Sequence, residues 1–309
     1  MRFEVNNEVE HILILGAGAS VPYGLPTWKN LSLLIKEKIN KDKQNIYSYK
    51  KEIIDWIDKV GDGKQYDTLD KCIEAESISK EYHLNGHEIE NQIFLVIKDI
   101  FTEAYKEFDD GWIRTLNESI LYECHKNLEN RIAFINYNYD NVLDKNLLNF
   151  TYLPAKKQIL KSKPRLDVLS LVTVSVLHPH GYFPLEETEF TSHAYKFSKT
   201  MKSNDKKYID VVSCYESETH NVKRFSQFPI KLYLLGLGGG LQVNLNNIEF
   251  ENRISEVNVT IKDPNIKDRA VTFLSEKYKV PKTEIKIHST CEELVNACFS
   301  VCATPSVAH

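Results

Sequence analysis

Short apolar runs recur along the chain. "HILILG" (11–16) is the first, followed by "RIAFINYN" (131–138), "SLVTVSVLH" (170–178), "IKLYLLG" (230–236), "VNVTIKD" (257–263) and "TEIKIH" (283–288). Runs of this length without strict polar alternation predict strands covered on both faces, as in a parallel sheet. Helical stretches lie between several of them: "NVLDKNLLNF", "IKDRAVTFLSEKY" and "TCEELVNACFSV". Ser289 and Thr290, with Glu292 and Glu293 three residues on, predict a capping-box start for the last. Strands alternating with helices predict an α/β fold, a Rossmann-like doubly wound parallel sheet.

Residues 41–129 break the alternation. In "EIENQIFLVIKDIFTEAYKEF" the apolar positions Ile89, Ile93, Ile97, Ile100, Ala104 and Phe108 recur at helical spacing. This predicts a helical insertion after the first strand, within a single domain spanning 1–309. Its apolar stripe exceeds what a doubly wound sheet requires and is expected to supply the contacts of an oligomer. The polar, lysine-bearing segment 185–227 shows weak periodicity and is expected to be a mobile loop or small excursion.

Charge and cysteines narrow the class. A formal net charge of −4 argues against a duplex-binding module, so no direct nucleic-acid contact is expected. Cys72, Cys124, Cys214, Cys291, Cys298 and Cys302 include no C-x-x-C pair, which predicts free thiols and no structural zinc. "MRFEVNNEVE" does not resemble a secretory leader, and the apolar run after it is too short to span a bilayer. The expectation is a cytoplasmic protein without a membrane segment.

The glycines point to the chemistry. Of the chain's 12, eight fall at Gly16, Gly18 and Gly24, at Gly181, and at Gly236, Gly238, Gly239 and Gly240. All lie at or just beyond predicted strand ends, where open α/β sheets bind ligands. Glycine there lets backbone N–H groups meet a pyrophosphate with no Cβ in the way. The first cluster is not the dehydrogenase fingerprint, which needs glycine where Val21 stands, and no Gly-Lys-Ser/Thr follows to make a P-loop.

Two further stretches end strands on the same side. "FINYNYDNVLD" carries Asn138 and Asp140; "LHPHGYF" carries His178 and His180. An amide, a carboxylate and an imidazole around one pocket can position a water or ribose hydroxyl and remove its proton. Taken singly, each has a plainer role: helix cap for the Asn-Tyr-Asp, turn residue for the histidine before glycine.

The ordered set "GAGAS…GLPTW", "NYDNVLD", "HPHG", "LLGLGGG" and "VTIKDP" resembles the sirtuin-like NAD-consuming domains, and their bacterial defence branch more than the protein deacetylases. The resemblance covers about residues 11–290. It implies that Asn138 and His180 are the catalytic pair, with His178 a rival base better suited to packing. It puts the pyrophosphate of NAD on the turn Gly16, Ala17, Gly18 and Ser20, and counts Pro26 and Trp28 among the NAD contacts. Asp140 would hold the nicotinamide end, Gly236 and Gly238 would approach the adenosine half, and Asp263 would reach a ribose hydroxyl.

Departures from the deacetylases are specific. Their zinc module is missing, "GLPTWK" stands where they carry Gly-Ile-Pro-Asp-Phe-Arg, and "INY" stands where they carry the threonine before Asn-Tyr-Asp. These point away from acyl-lysine peptides and leave cleavage of NAD, with NAD as substrate and no further cofactor. The implied function is an NAD hydrolase releasing nicotinamide and ADP-ribose, the toxic effector of an anti-phage system. A hydrolase of that kind needs an off state, so a homo-oligomer or a complex with a separate sensor subunit is expected. The alternative is a non-catalytic subunit that binds NAD or ADP-ribose.

Overall fold

The structure, a computed structural model, describes residues 2–4, 9–60, 86–106, 111–122, 131–147, 174–178, 195–197, 220–223, 229–246, 248–250 and 253–299. Its centre is a seven-stranded, wholly parallel sheet. The strands are β2 (His11–Leu15), β3 (Ile132–Asn136), β4 (Val174–Leu177), β5 (Tyr195–Phe197), β7 (Ile230–Leu235), β9 (Ile254–Thr260) and β10 (Ile285–His288). Their order is β10-β9-β7-β2-β3-β4-β5. A smaller parallel sheet orders β1 (Arg2–Glu4), β6 (His220–Lys223) and β8 (Ile248–Phe250) as β1-β6-β8.

The apolar runs of the sequence have a direct cause in this arrangement. Side chains alternate between the faces of a strand, and both faces are covered. In β2, Leu13 and Leu15 enter one core while Ile12 and Ile14 enter the other; in β3, Ile132 and Phe134 part in the same way from Ala133 and Ile135. The first face is covered by α1 (Trp28–Lys41), α2 (Lys50–Val60), α3 (Gly86–Ala104), α4 (Trp112–Tyr122), α5 (Val142–Asn146) and α8 (Cys291–Phe299). The second is covered by α6 (Leu241–Asn246) and α7 (Lys267–Tyr278). This is the predicted doubly wound, Rossmann-like α/β fold with helices inserted after the first apolar strand.

Ahead of the inserted helices lies α1, which packs directly on α2 and α3. Two expectations are corrected. The stripe of α3 is not left over for an oligomer. Ile89, Ile93, Ile97 and Ile100 are buried inside the chain, in one core with Leu31, Ile35 and Ile39 of α1 and Ile53, Trp56 and Ile57 of α2; Phe108 lies outside the described residues. Finally, 185–227 is not all loop, since it contains β5, hydrogen-bonded to β4, and β6, hydrogen-bonded to β1 and β8. Three- and four-residue strands are too short to carry a readable period.

The strand order sets the location of any ligand. From β2 the chain proceeds to β3, β4 and β5 on one side, then returns to β7, β9 and β10 on the other. The connections after β2 and β7 therefore part in opposite directions, and the crevice between them is where such sheets bind ligands.

Candidate functional site

The connection after β2 is folded tightly against the end of β7. The Gly16 N–H donates to Leu235 O (2.9 Å) and the Gly18 N–H to Gly236 O (2.9 Å). Ala19 N–H and Ser20 N–H then bond back to Gly16 O (2.8 Å) and Ala17 O (3.2 Å), closing a 3₁₀ turn. Only Ala17 in this turn keeps an N–H without such a partner among the described residues.

The glycines here let two backbone connections approach closely. A Cβ on Gly16 or Gly18 would stand 2.9 Å from the backbone of Gly236, and one on Gly236 would overlap Ala19 N. Gly236 also holds a φ of 67°, which side chains disfavour. Their missing Cβ atoms thus admit the neighbouring loop. Gly238 differs: its φ is 48° but a Cβ there would meet no atom within 4 Å.

Beside this clasp lies a three-residue polar chain. Asn138 Nδ2 donates to Ser20 Oγ (3.0 Å), and Ser20 Oγ donates to Asp140 Oδ1 (3.1 Å), which also accepts Val142 N–H (3.0 Å) at the start of α5. All three side chains are buried. The chain fixes the amide's orientation. Ser20 has a single proton, and with that proton donated to Asp140 Oδ1, Asn138 presents its NH₂ to Ser20. The Asn138 backbone N–H bonds Asn136 Oδ1 (3.1 Å). That leaves Asn138 Oδ1, in a residue only 5 % exposed, buried without a partner among the described residues. An unpaired buried acceptor costs on the order of 1–3 kcal/mol, which a ligand hydroxyl or N–H can recover.

A cavity of about 570 Å³ opens there. It is lined by Gly16, Ala17, Gly18 and Pro26, by Asn138 and Asp140, and by Gly236 and Gly238. Three connections distant in sequence thus meet as expected. Ser20 joins through its hydrogen bonds. Trp28 begins α1, two residues after Pro26. His180 lies outside the described residues; His178 is buried directly after β4. Asp263 is exposed and absent from the lining; its Oδ1 caps a turn by accepting Asn265 N–H (2.9 Å) and Nδ2 (2.9 Å). Among the described residues no group of three or more His, Cys, Asp or Glu side chains could hold a metal ion, and no helix is long and apolar enough to cross a membrane.

Several lining residues escaped the sequence. Lys262, next to Asp263, carries the positive charge of the lining. Thr260 lines it too, accepting the Gly236 N–H at 2.7 Å. The start of α8 contributes Ser289, Thr290, Cys291 and Glu292, and α1 and α3 contribute Leu31 and Phe101. The capping motif was the one available signal for α8. Thr290 Oγ1 accepts the Glu293 N–H (3.0 Å) and Glu293 accepts the Ser289 N–H (2.8 Å), which leaves Glu292 for the cavity.

Burial, then the Glu292 charge, pushes the Cys291 thiol up to about 12. It is therefore neutral at pH 8, and alkylation requires the thiolate. Iodoacetamide at pH 8 should modify Cys291 roughly a thousandfold more slowly than an unperturbed thiol. Peptide mapping of folded and urea-unfolded protein checks this; equal labelling in both would refute it. No known family model matches the sequence, and no curated protein matches it.

Proposed function

We propose that the protein cleaves the N-glycosidic bond of NAD, releasing nicotinamide and ADP-ribose. The observation that carries this reading is the cavity at the switch between β2 and β7, with Asn138 held by Ser20 and Asp140 and its Oδ1 left without a donor. A ribose hydroxyl or an attacking water supplies such a donor. The resemblance to sirtuin-like domains in "GAGAS", "NYDNVLD" and "HPHG" supports the same assignment.

In this mechanism NAD lies across the strand ends, with its pyrophosphate near the Ala17 N–H and the Lys262 ammonium. Departure of nicotinamide leaves an oxocarbenium-like ribose, which water attacks. Asn138 orients the water or the nicotinamide ribose, and positioning of this kind is worth about a hundredfold or more. His180, three residues beyond the end of β4 in sequence, takes the proton, a contribution of roughly a hundred- to ten-thousandfold. At the adenosine end Glu292 accepts from ribose hydroxyls, the task the sequence had suggested for Asp263.

The resemblance to the defence branch extends the proposal to the cell: an NAD-depleting effector, silent until a partner subunit or its own assembly releases it. Incubating the purified chain with NAD, alone and with the products of its genomic neighbours, tests the reading by quantifying nicotinamide. Release in either arm supports it. Binding of NAD or ADP-ribose without release would leave a non-catalytic binding subunit, and neither binding nor release would overturn the NAD assignment.

A further inference from the structure

The loop that carries Ser20 is gripped from outside the sheet. The carbonyl of Ala19 accepts the indole Nε1–H of Trp112 (2.8 Å). The Tyr23 hydroxyl accepts the Ile113 N–H (3.1 Å), and the Tyr23 carbonyl accepts the Lys106 N–H (2.9 Å). At Gly24, whose φ is 88°, a Cβ would overlap the carbonyl of Ala104. All four partners belong to the end of α3 and the start of α4, far from the loop in sequence. Trp112 and Tyr23 are each 1 % exposed, so water does not compete for these bonds.

One peptide unit separates the carbonyl held by Trp112 from Ser20, whose hydroxyl sets the orientation of Asn138. We infer that Trp112 is a positioning residue: with the Ile113–Tyr23 bond beside it, its indole N–H fixes Ala19 and hence the Ser20 hydroxyl that aims Asn138. The inserted helices are then part of the machinery that sets turnover. A displacement of α4 would be felt at the amide without any change in the sheet. Turnover as the readout rests on the NAD reading; the grip on the loop does not.

Trp56 supplies the control. It lies in α2 of the same helical block, is 0 % exposed, and its Nε1 has no hydrogen-bond partner among the described residues. Trp56→Phe and Trp112→Phe remove the same atoms from equally buried sites, but only the second removes a bond to the loop. In the full chain, Trp112→Phe should lower kcat roughly ten- to a hundredfold with KM for NAD nearly unchanged. Amide hydrogen exchange over residues 17–24 should accelerate about tenfold. Trp56→Phe should leave kcat and that exchange at wild-type values, whatever it does to the thermal transition. Should Trp112→Phe not fold, Tyr23→Phe cuts the neighbouring bond and carries the same two expectations.

Wild-type kcat in Trp112→Phe, or equal loss of kcat in both tryptophan variants, would overturn the inference. Unchanged exchange over 17–24 would do so whether or not NAD is cleaved. A wild type that releases no nicotinamide with any partner removes the NAD reading, and the exchange comparison alone then decides the role of Trp112.

Discussion

Asn138→Ala lowers nicotinamide release by about a hundredfold or more while the thermal transition stays near the wild-type value or rises. The two halves of this result have different causes. Truncation removes the Asn138–Ser20 hydrogen bond, worth about 1 kcal/mol net. It also removes Oδ1, a buried acceptor without a partner, whose burden of about 1–3 kcal/mol disappears with it. The vacated volume joins an existing cavity rather than creating a void in packed core. The stability terms therefore cancel or favour the variant, whereas the orientation of water or ribose is lost. Such opposition between stability and activity is expected where a polar group is kept for a ligand. Nicotinamide quantification and calorimetry on the same preparation measure both halves. A fall in the transition of about 10 °C would make Asn138 a structural residue, and retained turnover would remove it from the mechanism.

The largest stability loss is expected at Gly236→Ala. Its φ of 67° costs an L-residue about 1–2 kcal/mol. The new Cβ also overlaps backbone atoms of Ala19 and Gly18, which cannot swing aside as a side chain does. Overpacking of this kind adds about 1–3 kcal/mol. Together these lower the transition by roughly 3–8 °C. Gly238→Ala is the comparison, since φ is 48° but the space around it is open; only the backbone penalty of about 1 kcal/mol applies. Thermal scans of both variants measure the difference. Equal shifts would mean that conformation, not the approach of the two loops, explains Gly236.

Much of the sheet was legible because burial on both faces writes an uninterrupted apolar run, as in β2 and β3. Asn138 and Asp140 were legible for a related reason: a polar pair directly after such a run sits at the ligand-binding edge. The link through Ser20 was not, since it depends on β2 and β3 being neighbours, which local pattern does not encode. The glycines were found, but their close packing on one another at Gly236 was not, because it too depends on which strands are neighbours. Lys262 and Asp263 are adjacent beyond the end of β9, and nothing local distinguishes the one that lines the cavity from the one that caps a turn. The stripe of α3 announced that it would be buried, but its partners, α1 and α2, are identified only by packing.

The pairing of β2 with β7 has a consequence for the protein's synthesis. His11 and Tyr233, which bond across these strands, are 222 residues apart in the chain. At translation rates of about 5–20 residues per second, the first glycine turn waits on the order of ten seconds or more for its partner to be made. Contacts this distant also form late once the chain is free. The pocket therefore cannot exist on the ribosome until β7 has emerged. Products of premature termination before β7 contain Asn138 but no clasp at Gly236. If the enzyme consumes the cell's NAD, its nascent and truncated forms are harmless by topology alone.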